Sequence, residues 1–246
     1  PAAFRVIDTH AGAGRYDLTG SEAERSGEWR TGIARIMQAR FSEKTLPLVK
    51  PYLDIVRAFN SGAELKAYPG SPLIARALLR PQDRLTACEL EPNARKLLID
   101  ALRRDEQARV VDLSGWTALT AFVPPKERRG LVLIDPPFEA SDEFEQLAGG
   151  FAAAFEKWPT GSYLIWYPVK SLTRPNAMME RLAAAGVAGV AAELVTTPLA
   201  HQRHRLNGSG VLLVRAPAAA LEALAAAAPE IGARCATFAG AWSLRM

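Results

Sequence analysis

An apolar run, Leu131-Val132-Leu133-Ile134, leads straight into Asp135-Pro136-Pro137-Phe138. This pattern predicts a strand buried on both faces, with chemistry at its carboxyl end, where open α/β sheets bind ligands. The residue types suit an amino group on an aromatic base. Such an amine is a poor nucleophile because its lone pair is delocalised into the ring. Asp135 can accept one N–H and the carbonyl of Pro136 or Pro137 the other, directing the lone pair at an electrophilic methyl group with little prior deprotonation. Proline fixes φ and lacks an N–H, so the accepting carbonyl is held rigid. Phe138 offers a flat face for a flipped-out base, worth roughly 1–3 kcal/mol. Asp135, Pro136, Pro137 and Phe138 are therefore the candidate catalytic residues. The plainer alternative is a Pro-Pro turn closing a strand with an ordinary capping acid.

A second constellation lies upstream. Phe4-Arg5-Val6-Ile7-Asp8 reads as a strand, and Thr9-His10-Ala11-Gly12-Ala13-Gly14 follows it. A Gly-x-Gly after a first strand makes a tight turn whose backbone a ligand can approach closely. Asp8, Gly12 and Gly14 are candidate cofactor residues on this ground. Rossmann-type sites add an acid at the end of the second strand, about 20 residues on, to hold ribose hydroxyls. Here that acid is Glu89, which comes much later, and an inserted segment accounts for the excess. No third glycine stands at the dinucleotide spacing, and Arg15-Tyr16 follows Gly14 directly. A cofactor without a pyrophosphate, S-adenosylmethionine, fits that pattern better than a nicotinamide dinucleotide.

The elements needed to position these groups are readable. Strands are expected at Phe4-Asp8, Arg84-Glu89, Ala108-Asp112, Gly130-Asp135, Ser162-Tyr167, Val190-Thr197 and Gly210-Arg215, with a last one near Ala236-Leu244. Helices are expected at Asn93-Arg104, Asp142-Trp158, Arg174-Ala185 and Ala218-Ala228, with Pro92 and Gly186 as punctuation. The alternation predicts an α/β fold of the Rossmann-like S-adenosylmethionine-dependent methyltransferase type, with a mostly parallel seven-stranded sheet. The stretch from Gly20 to Tyr68 breaks the rhythm, is rich in helix formers and shows no convincing strand. The expected division is a core of residues 1–19 and 69–246 and a small helical insertion of residues 20–68.

The totals fit one α/β domain of 246 residues. Lys plus Arg number 30 against 26 Asp plus Glu, a net charge of +4, and the pI is near 9.2. An excess this small permits an anionic partner without requiring one. Cys88 and Cys235 lie far apart with no metal-ligand spacing, so no metal is expected, and Cys88, within an expected buried strand, is read as a core thiol in a reducing compartment. No apolar run approaches the ~18 residues of a membrane span, and there is no signal peptide, which predicts a cytoplasmic protein. There is no initiator Met, and Pro1-Ala2-Ala3 runs straight into a core strand, so a leading segment is expected to be missing.

Together, Asp8 to Tyr16, Tyr68-Pro69-Gly70-Ser71-Pro72, Arg129 to Phe138 and Ile165-Trp166-Tyr167-Pro168 resemble the bacterial 23S ribosomal RNA adenine-N6 methyltransferases of the large-subunit methyltransferase J family. The resemblance spans nearly the whole chain, insertion included. It implies S-adenosylmethionine held by His10, Ser71, Glu89 and the Ser114-Gly115 pair, with Asp135 as catalytic acceptor. Ser71 would cap a helix and help hold the cofactor's carboxylate. Two departures stand out. Ser114 replaces the family's usual Asp before the glycine, with Asp112 as a possible substitute, and the family's basic, His-rich leading segment is absent.

The implied partner is 23S ribosomal RNA, with no membrane and no metal; oligomeric state is not readable. Candidate phosphate contacts are Arg25, Arg30, Arg35 and Arg40, then Lys126, Arg128 and Arg129, then His201, Arg203, His204 and Arg205 in a hairpin loop. Recurring every five residues, the first four spiral round a helix and suit solvated surface. Trp166 and Tyr167 either wall the base pocket or belong to the core. The expected activity is N6-methylation of an adenine in 23S ribosomal RNA. Alternatives are another base amino group, guanine N2 or a DNA adenine, or a non-catalytic cofactor-binding RNA scaffold.

Overall fold

A computed structural model describes residues 2–62, 64–199, 206–236 and 242–245. In chain order the elements begin with β1 (Arg5–Asp8), β2 (Arg15–Asp17), α1 (Ser21–Ser26), α2 (Glu28–Thr31), α3 (Ile33–Gln38), α4 (Leu46–Ala58) and β3 (Ala67–Pro69). Then follow α5 (Ser71–Leu78), β4 (Arg84–Cys88), α6 (Pro92–Ala101), β5 (Ala108–Val111), α7 (Gly115–Ala121) and β6 (Gly130–Ile134). The rest is α8 (Glu143–Lys157), β7 (Ser162–Val169), α9 (Thr173–Ala184), β8 (Gly189–Val195), β9 (Gly208–Val214), α10 (Ala218–Cys235) and β10 (Trp242–Arg245).

Among the described residues the main sheet has eight strands in the order β10-β8-β9-β7-β6-β1-β4-β5, one more than the seven expected. The eighth strand is β10, at the place of the last strand expected near Ala236-Leu244, and it extends the sheet by pairing antiparallel with β8. From β7 to β5 every pairing is parallel, whereas β9 runs antiparallel to both β7 and β8. The carboxyl ends of β1, β4, β5, β6 and β7 therefore share one edge of the sheet. Asp8, Glu89, Ser114 and Asp135 all fall on or just beyond that edge.

Alternation along the strands loads both faces of the sheet. Val6, Leu85 and Ala87 pack with Leu73 of α5 and Leu98 of α6. Ile7, Val132 and Ile134 pack on the other face with Leu119 of α7, Leu147 and Phe151 of α8 and Met178 of α9. Pro92 opens α6 and the Glu91 carboxylate caps it, accepting from the N–H groups of Asn93 at 3.0 Å and Ala94 at 2.6 Å. Gly186, with φ 78°, follows the end of α9 as expected.

The segment from Gly20 to Tyr68 folds into short helices and not one long one. Gly27, left-handed at φ 63°, separates α1 from α2, and Gly32 separates α2 from α3. Ile36, Val49 and Leu53 share a core with Ala227 and Cys235 of α10, so these helices lean on the carboxyl-terminal helix. The expectation of no strand there is corrected by β3, which pairs antiparallel with β2 as a small second sheet. Strands of three residues carry too little pattern to be read from sequence. Helix α10 also runs through Pro229 to Cys235, past the expected end at Ala228. No described helix is long and apolar enough to cross a membrane.

Candidate active site

The glycine loop is tied to the strands on both sides of β1. Thr9 N–H donates to the Leu133 carbonyl of β6 at 3.0 Å, and Ala11 N–H to the Cys88 carbonyl of β4 at 2.9 Å. Gly12 and Gly14 then take φ values of 62° and 76°, which any side chain would strain. This turn points the Gly12 N–H at Glu89, whose Oε2 accepts it at 2.7 Å; Oε1 accepts from the Glu91 N–H at 2.8 Å. Two backbone donors thus fix the carboxylate, and its other lone pairs remain available for ribose hydroxyls.

The tautomer of His10 follows from its neighbour. Thr9 Oγ1 lies 3.0 Å from the Leu133 carbonyl and 2.8 Å from His10 Nδ1. The hydroxyl has one proton, and the carbonyl can only accept it, so Nδ1 carries the imidazole proton and donates to Oγ1. Burial lowers the ring's pKa to about 4, keeping it neutral. Nε2 is left as a buried acceptor with no partner among the described residues. The ring meets Trp116 edge-on at 5.1 Å and rests on Gly115, where a Cβ would overlap the ring and the Thr9 carbonyl oxygen. Gly115 is thus required by His10.

Asp8 is 1% exposed, and among the described residues neither carboxylate oxygen has a hydrogen-bond partner. Burial raises its pKa to about 7, and Asp135 and Glu89 add repulsion. The Ser71 hydroxyl beside it acts the other way, though without hydrogen-bond geometry. Ser71 is the first residue of α5; the cap position is Gly70, and no side chain bonds there, which corrects the capping role expected of Ser71. Ser114 occupies the cap position of α7, also without a side-chain bond. Asp112 is bound to Arg95 at 2.7 Å, so its carboxylate is already engaged.

Asp135 is reached by water yet ringed by protein, and this partial desolvation pushes its pKa up to about 6. Pro136 is buried beside it while Pro137 faces solvent. Phe138 takes a left-handed φ of 53°, a cost on the order of 1–3 kcal/mol in a bulky residue. Ring contacts to Phe144 at 4.8 Å and Trp166 at 5.9 Å hold it there. The two readings of Trp166 and Tyr167 now separate. Trp166 is half-buried against Phe138, whereas Tyr167 is wholly buried and donates to Glu193 at 3.0 Å.

Tyr16 was missed as a site residue. Strand β2 carries its hydroxyl back over Gly12, where burial and the Asp135, Asp8 and Glu89 carboxylates raise its pKa. Its only sequence signal was adjacency to the glycine loop. The expected phosphate contacts fare unevenly. Lys126, Arg128 and Arg129 precede β6, at the opposite edge of the sheet from Asp135, so a strand length separates them from the tetrad. Arg30 sits over the Trp29 ring at 5.1 Å, and Arg35 donates to the Cys235 carbonyl at 3.3 Å. His201, Arg203, His204 and Arg205 lie outside the described residues.

Asp8, Glu89 and Asp135 gather acidic charge and buried lone pairs in one place. A pyrophosphate would be repelled there. A ligand with an ammonium, a sulfonium and ribose hydroxyls meets the orphaned Asp8 oxygens, the His10 Nε2 and the anchored Glu89, so these residues fit S-adenosylmethionine. Among the described residues no group of three or more His, Cys, Asp or Glu could hold a metal ion.

The family model described as "Ribosomal RNA large subunit methyltransferase D, RlmJ" matches residues 1–246. Ribosomal RNA large subunit methyltransferase J of Escherichia coli (strain K12) is 41% identical over 216 residues, 87% of this chain and 75% of that protein. The Haemophilus influenzae protein of the same name is 36% identical over 217 residues, with the same coverage. A crystal structure of a Legionella pneumophila protein superposes with a TM-score of 0.84 at 27% identity, covering 99% of this chain and 88% of that one.

Proposed function

The chain belongs to the ribosomal RNA large subunit methyltransferase J family, and from that premise we propose that it methylates N6 of an adenine in 23S ribosomal RNA. The observation that carries the chemistry is Asp135. A solvent-reached acid closes β6 beside Phe138, on the edge that also holds Asp8 and Glu89. S-adenosylmethionine is the cofactor, and when bound it supplies an electrophilic methyl group.

The residues divide the work. Glu89, held by two backbone donors, takes ribose hydroxyls, and Gly12 and Gly14 let the ligand approach the turn. Asp8 and Ser71 would hold the amino-acid end. His10 Nε2 offers an acceptor kept in place by Thr9 and Gly115, and Ser114 stands at the adenine side. Asp135 accepts one N–H of the target amine, and a carbonyl of Pro136 or Pro137 accepts the other. Held so, the amine would keep its lone pair out of conjugation and available to an electrophilic methyl group. Phe138, braced by Phe144 and Trp166, stacks on the flipped base.

The test presents unmodified 23S ribosomal RNA and duplex DNA to the protein with labelled S-adenosylmethionine and identifies the methylated nucleoside. N6-methyladenosine from the RNA alone is expected. N2-methylguanosine, or label in the DNA only, would transfer the reading to another base amine.

A further inference from the structure

Beyond the tetrad, on the side away from β1, lies a pocket of about 430 Å³. Phe138, Phe144, Pro168 and Pro175 give it apolar walls, and Lys170 and Arg174 stand on it. Its size lies within the range of small-ligand sites. Strand order fixes its place: β6 separates β7 from β1, so the cofactor candidates lie on one side of Asp135 and this pocket on the other. Phe138 is shared between the tetrad and the pocket.

The two cations set this pocket apart. Arg5, Arg76 and Arg95 are each bound to a carboxylate. Lys170 and Arg174 are exposed, and among the described residues neither makes an ion pair. The acids nearby belong to the α8 side. Glu143 is buried with Oε2 accepting from the Ala140 N–H at 3.1 Å, and Glu139 and Asp142 are close enough to raise its pKa. Positive charge is therefore confined to the β7–α9 side, opposite those acids, with apolar walls between them.

We propose that this pocket seats the nucleotide next to the target adenosine, with its base against the apolar wall at Pro168 and its phosphate on Lys170 and Arg174. The assignment rests on the RNA-methylating reading and deepens it. A strand with one base flipped toward Asp135 must continue past one side of the tetrad. The candidate cofactor residues lie on the other side, and the pocket side combines two cations that make no ion pair among the described residues with apolar surfaces on which a base can stack. Neither cation touches the reacting atoms; both act as positioning residues.

The experiment measures binding of an end-labelled, unmodified single-stranded fragment of 23S ribosomal RNA to the whole chain across a salt series. The Lys170→Ala/Arg174→Ala variant is expected to bind about tenfold more weakly, with the slope of log K against log salt smaller by about 0.7 for each phosphate no longer neutralised. The swap Lys170→Arg/Arg174→Lys restores most of the affinity, and affinity for S-adenosylmethionine is unchanged in both. Removing the same charge at exposed Lys96 and Arg109 serves as control. An unchanged slope, or an equal loss in the control, would overturn the pocket assignment. Methylation by the wild type in the same preparation is scored separately. If it fails, the activity reading falls, while the binding comparison still decides the pocket.

Discussion

The backbone N–H of Gly12 donates to Oε2 of Glu89 at 2.7 Å, joining groups 77 positions apart. The turn after β1 and the acid after β4 therefore form one unit, and the carboxylate proposed to hold the ribose takes its orientation from the glycine loop. In Glu89→Gln an amide nitrogen must face either the Gly12 or the Glu91 N–H, leaving a donor unpaired at a cost of about 1–3 kcal/mol. The expected result is S-adenosylmethionine binding weaker by about tenfold or more, read by calorimetry, with RNA affinity unchanged. Equal cofactor affinity in the variant would remove Glu89 from the site.

Gly115→Ala tests the packing behind His10. The added methyl would overlap the imidazole and the Thr9 carbonyl, so the ring must move or the backbone must shift. Overpacking of this kind costs about 1–3 kcal/mol of stability. Chemical denaturation should show that loss, and calorimetry a parallel loss of cofactor affinity. A variant as stable as the wild type, with unchanged affinity, would mean that His10 is not held as described.

Asp8 makes stability depend on pH. Its carboxyl titrates near 3.8 in the unfolded chain and near 7 in the folded one. Between these values the native state keeps a proton that the unfolded chain has released, so stability falls as pH rises from about 4 to about 7. Asp8→Asn removes this dependence. Relative to the wild type, the variant should gain stability on going from about pH 4 to about pH 8, by a few kcal/mol at most. Urea titrations at both pH values measure the difference, and identical pH dependence of the two proteins would contradict the burial of an unpartnered acid.

Much of this site was legible because its signals are local. The run into Asp135-Pro136-Pro137-Phe138 and the turn after Asp8 each combine a strand with its end chemistry in under ten residues. Glu89 was legible once the inserted segment had been recognised. What the sequence hid depends on tertiary approach. Tyr16 reaches the site only because β2 pairs with β3, bringing Arg15 opposite Pro69. Trp166 and Tyr167 are adjacent with similar aromatic character, and only the alternation of β7 puts one beside Phe138 and the other in the core. Only the direction of β6 shows that Lys126, Arg128 and Arg129 stand at the far edge of the sheet from Asp135.

The amino-group chemistry proposed for this site depends on Asp135 above all. Single-turnover transfer from labelled S-adenosylmethionine to unmodified 23S ribosomal RNA is measured for the wild type and Asp135→Ala, with the product nucleoside identified. Losing an acceptor placed for the transition state costs on the order of 100-fold or more in rate. N6-methyladenosine is expected from the wild type, with transfer slowed at least that much in the variant and cofactor binding unchanged. Transfer by Asp135→Ala at the wild-type rate would contradict that chemistry.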